Sequence, residues 1–344
     1  MRENRASPTL EDVARAAGVS TATVSRVLNY PDKVAGATRE KVRHAVHELG
    51  YLPHFGARAM AANRTRTIGA IIPTMENAIF ARGIQAFQEA LHDRGYTLLV
   101  ASSSYSAALE EEQVRALVAR GADGLLLIGH DRDPAVTAFL ERHRVPALVS
   151  WSFDPAARLP SVGFDNIAAM QALAREALAL GHRRLALVTA PLAANDRARG
   201  RVEGVRRAMR EAGLASDALE IVETAYGLET GAAAFRQVMA APVPPTMVFC
   251  GNDVLAMGAL MAARAAGLDV PGDVSVTGFD DIDLARVAVP GLTTVHVPHR
   301  LMGATAARSI IAMVEEDQAG ESLQLETDLR WRDSLAPPPT TRRD

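Results

Sequence analysis

The chain has 344 residues, of which 48% are hydrophobic, and its formal net charge at pH 7 is −3. This length can bury a sizeable core and form more than one domain, which excludes a small disulfide-stapled module. The single cysteine, Cys250, has no partner for an intrachain disulfide or a cysteine-based metal site. The polar N-terminus and the lack of any apolar run near the ~18 residues of a membrane span favour a cytoplasmic protein.

The charge is distributed unevenly along the chain. Residues 1–64 contain ten Arg or Lys but only six Asp or Glu, so the remainder is acidic. A basic segment joined to an acidic body is typical of a protein with a separate nucleic-acid-binding head.

Three short helices are predicted within the first fifty residues, because apolar residues recur there at helical spacing between residues that start and stop helices. The predicted N-caps are Thr9, Ser20 and Thr38, and the predicted ends are Gly18, Asn29–Asp32 and Gly50. The spacing of the first two helices indicates a helix-turn-helix, since small Ala14 allows close approach and Gly18 permits the turn. An ordinary alanine-rich helical hairpin is the alternative for this segment.

A recognition helix that starts near Ser20 would direct one set of side chains to base edges and short polar groups to phosphates. The predicted base-reading residues are Thr21, Ala22 and Arg26, of which Arg26 can pair with guanine through two hydrogen bonds. The predicted phosphate contacts are Thr9, Ser20, Thr23, Ser25 and Asn29.

From residue 67 onward, short β-rich runs alternate with longer amphipathic stretches. The predicted strands are Ile68–Ile72, Thr97–Ala101, Gly124–Ile128, Ala147–Ser150, Leu185–Thr189, Ala218–Val222, Met247–Cys250 and Val274–Gly278. This alternation predicts parallel, doubly wound sheets. Because about 270 residues are too many for one such sheet, we expect two α/β lobes with a ligand between the carboxyl ends of their strands.

Several segments resemble the LacI/GalR family of transcription regulators over roughly residues 9–332. They are Thr9–Ala14, Gly18–Ser20, Thr23–Asn29, Thr38–Val42, Leu49–Pro53, Asn252–Asp253, Val270–Ser275, Gly278–Asp281 and Leu292–Val295. In addition, Asn77–Ala81 and Val162–Asn166 are similar to the gluconate-repressor branch of that family.

The resemblance implies an all-α helix-turn-helix head and a two-lobed α/β body like that of periplasmic binding proteins. The implied domains are a head at 1–53, a hinge helix and linker at 54–66, an effector-binding and dimerisation domain at 67–335 and a disordered tail at 336–344. The implied lobes are 67–164 with 293–325, and 165–292 with 326–335. In the hinge, Ala57 and Met60 would enter the minor groove.

The family further implies a homodimer that binds near-palindromic operator DNA and responds allosterically to a small effector. Arg201 matches the arginine that holds effector hydroxyls or carboxylates, and Asp280 matches the acid that accepts from hydroxyls. Other implied effector contacts are Ile79, Phe80, Trp151, Tyr226 and Asn252. Phe80 and Trp151 could instead belong to the core, and Asp253 is expected to cap a helix. We expect a sugar or sugar acid, such as gluconate, as the effector.

No metal, cofactor or catalytic activity is predicted. His44 and His47 have helical spacing but no third ligand nearby, and the usual phosphate-loop, metalloprotease and nucleophile-elbow motifs are missing from the sequence. His130 could border the cleft or be an ordinary loop histidine. The alternatives to a repressor are a periplasmic-type sugar-binding module without specific DNA binding and a two-domain α/β enzyme.

Overall fold

The computed structural model describes residues 8–51, 64–76, 78–316 and 318–339. The chain divides into two compact units, Met1–Thr65 and Arg66–Asp344.

The first unit is a bundle of three helices, α1 (Leu10–Ala17), α2 (Thr21–Asn29) and α3 (Gly36–Leu49), with a short 3-10 turn at Pro31–Lys33. Its core is formed by apolar side chains from each helix and the following segment: Val13, Ala14, Val24, Val27, Val42, Ala45 and Tyr51. The predicted cap of α3 at Thr38 is wrong. The N-cap is Ala35, three residues earlier, and the amides of Thr38 and Arg39 both donate to its carbonyl at 3.0 Å.

The second unit contains twelve strands among its described residues. In chain order they are β1 (Thr67–Ile72), β2 (Thr97–Ser102), β3 (Gly124–Ile128), β4 (Ala147–Ser150), β5 (Ser161–Gly163), β6 (Leu185–Thr189), β7 (Glu220–Glu223), β8 (Met247–Cys250), β9 (Ser275–Asp280), β10 (Thr293–His296), β11 (Leu323–Gln324) and β12 (Asp328–Arg330). The helices are α4 (Ala78–Asp93), α5 (Ala107–Ala119), α6 (Pro134–Arg142), α7 (Asn166–Ala179), α8 (Asp196–Glu211), α9 (Leu228–Met239), α10 (Asp253–Ala265), α11 (Asp283–Val287) and α12 (His299–Glu316).

These elements form two lobes, each built on a six-stranded sheet. The strand orders are β11-β5-β4-β3-β1-β2 and β12-β10-β9-β8-β6-β7, and all pairs are parallel except β10 with β12. The apolar runs of β1, β3, β4, β6, β8 and β9 are buried throughout, as expected for parallel strands covered by helices on both faces. The predicted fold class is therefore confirmed.

Two details differ from the predicted organisation. Residues 293–296 were expected in the first lobe, but β10 pairs in parallel with β9 and so belongs to the second sheet. The strand expected at Ala218–Val222 begins at Glu220, because Ser216–Ala218 form a 3-10 turn.

Helices α4 and α12 cross closely in the first lobe through two glycines. A Cβ atom on Gly303 would overlap the backbone oxygen of Gly83, and one on Gly83 would overlap the Trp151 ring. The crossing therefore places the start of α4 directly against the residue that follows β4.

Replacing Gly303 with alanine is expected to lower the free energy of unfolding by about 1–3 kcal/mol, because the added methyl group forces the helices apart. Urea denaturation of the two proteins gives the difference. Arg308→Ala, an exposed position on the same helix, is the matched control and should stay within about 0.5 kcal/mol of the wild type. Equal stability of Gly303→Ala and wild type would contradict the packing described above.

Candidate DNA-reading face and ligand cleft

Local hydrogen bonds define the start of the first two helices. The Thr9 amide donates to the Asp12 carboxylate at 3.0 Å, and the Asp12 amide donates to the Thr9 hydroxyl at 3.2 Å, which forms a capping box. The bond from the Thr9 backbone is the main reason that the pKa of Asp12 is lowered. Gly18 ends α1 with φ of 64°, and the Ser20 hydroxyl caps α2 by accepting from the Thr23 amide at 3.2 Å.

The second helix separates a buried face from an exposed one. Val24 and Val27 are buried in the bundle core, whereas Thr21, Ala22 and Arg26 are exposed. The three predicted base-reading residues therefore lie on the solvent side of a short, capped helix, as a recognition helix requires.

The predicted phosphate-contacting residues have mixed surroundings. Thr9 and Ser20 are exposed, and Thr23 and Ser25 are partly exposed. The hydroxyls of Ser20 and Thr23 hydrogen-bond each other at 2.9 Å, so their first role is to hold the start of α2. The Asn29 side chain and the predicted hinge residues Ala57 and Met60 lie outside the described residues.

The predicted effector residues gather where parallel strands end. Trp151 follows β4, Asn252 follows β8 and Asp280 ends β9, whereas Arg201 lies on α8. Ile79 and Phe80 start α4 and belong to the main core cluster together with Trp151. Tyr226 precedes α9, and its ring centroid is 6.1 Å from that of Tyr105.

Arg201 is held directly by residues of the second lobe and is linked to the first lobe through one of them. Its Nε donates to the side-chain Oδ1 of Asn166 at 3.1 Å, its Nη1 donates to the backbone carbonyl of Gly251, and its guanidinium lies 3.8 Å from the centroid of the Phe279 ring. Asn166 in turn donates to the Trp151 carbonyl at 3.1 Å. This chain of contacts fixes the guanidinium and connects the ends of strands from the two sheets.

Asp280 is fully buried with φ of 105°, a backbone conformation that non-glycine residues rarely adopt. Neither carboxylate oxygen has a hydrogen-bond partner among the described residues. Burial raises the pKa of Asp280 to about 7, against the opposing effect of Arg201 and Arg197. The nearest basic ring is His299, whose Nε2 lies 3.7 Å from Oδ1.

Other buried polar atoms near Asp280 also lack partners in the described part of the chain. They are Nε1 of Trp151, Nδ2 of Asn252 and both ring nitrogens of His299. Burial lowers the pKa of His299 to about 3, so the ring is neutral at physiological pH. Because buried polar groups are nearly always hydrogen-bonded in folded proteins, this cluster indicates a site for a polar ligand.

The helix-capping role expected for Asp253 belongs instead to its neighbour. The Asn252 side chain accepts from the Leu255 amide at 2.9 Å and caps α10. Asp253 accepts from the Ile282 amide at 2.8 Å and from the Thr294 hydroxyl at 2.6 Å. Its carboxylate therefore fastens the segment after β9 and strand β10 to α10.

Comparison with known proteins was made by sequence and by structure. A profile described as "Bacterial regulatory proteins, lacI family" matches residues 9–54, and one described as "Periplasmic binding protein-like domain" matches residues 174–335. The HTH-type transcriptional repressor CytR of Escherichia coli is 34% identical over 325 residues, which cover 94% of this chain and 95% of that protein. The chain belongs to the LacI family.

Further relatives agree with this assignment. The HTH-type transcriptional repressor PurR of Escherichia coli is 35% identical over 334 residues, covering 96% of this chain and 98% of that protein. The Lac repressor dimer bound to operator and the anti-inducer ONPF superposes with a TM-score of 0.85 at 27% identity, over 96% of this chain and all of the other. This LacI-family chain is thus a DNA-binding, effector-modulated transcriptional repressor and not an enzyme.

Three further residues of the candidate cleft were not predicted from the sequence. Asn166 and His299 make contacts between the two lobes, and the Tyr105 ring lies 6.1 Å from the Tyr226 ring at a tilt of 44°. Asn166 lies in the segment that resembles the gluconate-repressor branch, and this resemblance could have marked it as a candidate cleft residue. No local pattern marked His299, because its importance comes from a contact with Asp280 in the other lobe.

The rim of the cleft also carries contacts between the lobes. The His130 amide donates to the Asp196 carboxylate at 2.9 Å, and Arg199 pairs with Asp131 at 2.5 Å. His130 therefore borders the cleft through its backbone, and its ring Nε2 is among the partnerless buried atoms.

No helix among the described residues is long and apolar enough to cross a membrane, and the described His, Cys, Asp and Glu side chains form no group of three that could hold a metal ion.

Asp280 and His299 are expected to affect stability with opposite pH trends. The pKa of Asp280 rises from 3.8 to about 7 on folding. The free energy of unfolding therefore falls as pH rises through that interval, by an amount on the order of 4 kcal/mol. The pKa of His299 falls from 6.5 to about 3 on folding. Keeping this ring neutral in the folded state therefore lowers the free energy of unfolding more and more as pH falls below 6.5.

Unfolding by urea at several pH values from 4 to 8 would measure both trends. Relative to wild type, Asp280→Asn should gain stability towards pH 8, and His299→Gln should gain stability towards pH 4. Asp328→Asn, an exposed control, should show neither trend. Parallel pH curves for all four proteins would show that the buried pair does not titrate as described.

Proposed function

We propose that the protein is a cytoplasmic, homodimeric repressor of the LacI family that reads a near-palindromic operator through α2. Its operator affinity is modulated by a small hydroxylated metabolite, a sugar or sugar acid, bound between the two lobes of the body. The observation that carries the proposal is the cluster of buried, partnerless polar atoms around Asp280 in a chain whose head presents an exposed recognition face.

The exposed face of α2 supports the DNA-binding part of the proposal. Thr21 and Ala22 lie in its first turn, which is the part of a recognition helix that approaches base edges. Arg26 follows one turn later and offers a forked guanidinium that matches the O6 and N7 acceptors of guanine. Two such heads in a symmetric dimer would read two half-sites in opposite orientations.

Arg26→Ala is expected to reduce the preference for operator over unrelated DNA by about 1–3 kcal/mol, because a base contact is lost while phosphate contacts remain. The operator is first selected from a random duplex library with the wild-type protein, and fluorescence anisotropy then gives the affinity for operator and for scrambled DNA at one fixed salt concentration. Arg43→Ala, an exposed arginine on α3, is the matched control. Full operator preference in Arg26→Ala would place the recognition helix in a different register.

Exposed apolar side chains on the second lobe support the dimer. Met261, Leu284, Val287 and Val289 are between 46% and 86% exposed. Leu284 and Val287 lie on α11 and Val289 lies just after it, while Met261 lies on α10, which contacts α11. A cluster of large exposed apolar residues is typical of a protein–protein interface, and a second copy of the chain would cover it.

The cleft supports the effector part of the proposal. Asp280 supplies two acceptor oxygens, and Asn252 and Trp151 each supply an N–H group without a partner. The hydroxyls of a sugar both donate and accept hydrogen bonds, so one small ligand can satisfy this whole set. The aromatic rings of Tyr105 and Tyr226 can cover its C–H faces. Any ligand that prefers one arrangement of the lobes changes DNA affinity by linkage.

Asp280→Asn is expected to weaken the effector response while sparing DNA binding, because the amide removes the charged acceptor from the cleft and leaves the head unchanged. A thermal-shift screen of wild-type protein against sugars, sugar acids and nucleosides identifies binders, since a ligand of the native state raises its stability. Asp328→Asn serves as the exposed control and should keep the shift. An undiminished shift in Asp280→Asn would move the ligand site away from this cleft.

A further inference from the structure

The charged groups of the cleft are already paired with one another, and this restricts the kind of ligand that fits. Resting on the function proposed above, we infer that the cleft selects an uncharged polyhydroxylated ligand and discriminates against the corresponding acid. The inference narrows the proposed effector from "sugar or sugar acid" to the neutral class.

The arginines around the cleft have their acceptors within the protein. Arg201 uses Nε and Nη1 on Asn166 and the Gly251 carbonyl, and its face lies on Phe279. Two of its five N–H groups are therefore already used, which leaves fewer donors for the two parallel hydrogen bonds that make arginine an effective carboxylate receptor.

The other buried arginines are paired with acids. Arg197 donates to Asp196 at 2.9 Å, and both side chains are at most 15% exposed. Arg132 lies 3.2 Å from Glu110 and also donates to the Gly129 carbonyl at 2.6 Å. At the rim, Arg199 is paired with Asp131. Each of these four cations is therefore engaged before any ligand arrives.

Asp280 adds a negative charge that no hydrogen bond within the described residues stabilises. Burial already opposes this single charge, as the raised pKa of Asp280 shows. A ligand carboxylate nearby would place a second negative charge in the same buried region, where like charges repel more strongly than in water. A neutral hydroxyl has the opposite effect, because it donates a hydrogen bond to the carboxylate.

The remaining partnerless atoms include both donors and acceptors, a set that hydroxyl groups satisfy completely and a carboxylate only in part. Asn252 and Trp151 offer single uncharged N–H donors, and neutral His299 offers one donor and one acceptor. Hydroxyls can satisfy both kinds of atom, whereas a carboxylate can only accept. Free sugars and the ribose of a nucleoside share this chemistry, and the experiment below separates them.

The test is isothermal titration of the full-length dimer at pH 8 with matched neutral and acidic probes. The pairs are D-glucose with D-gluconate, D-ribose with D-ribonate, cellobiose with cellobionate, and adenosine and cytidine with their 5′-monophosphates. We expect at least one neutral probe to bind and its acidic partner to bind at least tenfold more weakly. Binding by a sugar or by a nucleoside identifies which source supplies the hydroxyls.

Two variants connect the discrimination to Asp280. In Asp280→Asn, which removes the negative charge, the ratio of acid to neutral dissociation constants should fall at least threefold. In Asp328→Asn, which removes a charge from an exposed position, the ratio should not change. An unchanged ratio in Asp280→Asn would contradict the proposed origin of the selectivity.

An acidic probe that binds as tightly as its neutral partner, or more tightly, would overturn the inference and leave the proposed function standing, since that function includes sugar acids. If no probe of either class binds, both the inference and the effector part of the proposed function fail. Operator binding by the same preparation, measured separately, tests the DNA-binding part.

Discussion

The body of this repressor depends on burying charged and polar side chains where its two lobes meet. Arg201 is almost completely buried and donates hydrogen bonds to the Asn166 side chain and the Gly251 carbonyl. Asn166 in turn donates to the Trp151 carbonyl in the first lobe. Removing a guanidinium from water is unfavourable unless its donors are satisfied. The network therefore constrains the ends of β4, β8 and β9 to positions in which each acceptor reaches its donor.

Asp280 follows Phe279 of that network in the chain and shows the opposite situation. Its carboxylate is buried, lies in an unusual backbone conformation and has no hydrogen-bond donor among the described residues. Such a group lowers the stability of the folded chain, and proteins keep destabilising groups of this kind mainly at sites of function. The well-satisfied neighbour Asp253, which holds Ile282 and Thr294, supplies the rigid support on which the unsatisfied acid is placed.

The head follows simpler rules. Its core contains seven buried side chains among the residues that the structure describes, and the caps at Thr9, Gly18 and Ser20 define the ends of α1 and the start of α2. Each side-chain cap typically stabilises a helix by about 1 kcal/mol. These caps leave the outward face of α2 free for side chains chosen for recognition and not for stability.

Much of this arrangement was predictable from the sequence. The caps at Thr9 and Ser20 and the long apolar strands are local patterns, so α1, α2, β3, β4, β6 and β8 were found with nearly their observed bounds. Strands β5, β10, β11 and β12 were missed, because they are short segments without a continuous apolar run and their distant partners determine their pairing.

The sequence by itself determined the two-part organisation, the parallel α/β body and, through its resemblance to a family, the choice of Arg201 and Asp280. Only the tertiary structure decided what surrounds those two residues. The partners of Arg201 lie 35 and 50 residues away in the chain, and His299 meets Asp280 from the other lobe. Whether a buried polar atom has a hydrogen-bond partner depends on which residues from distant parts of the chain lie next to it, and no local pattern of residues contains that information.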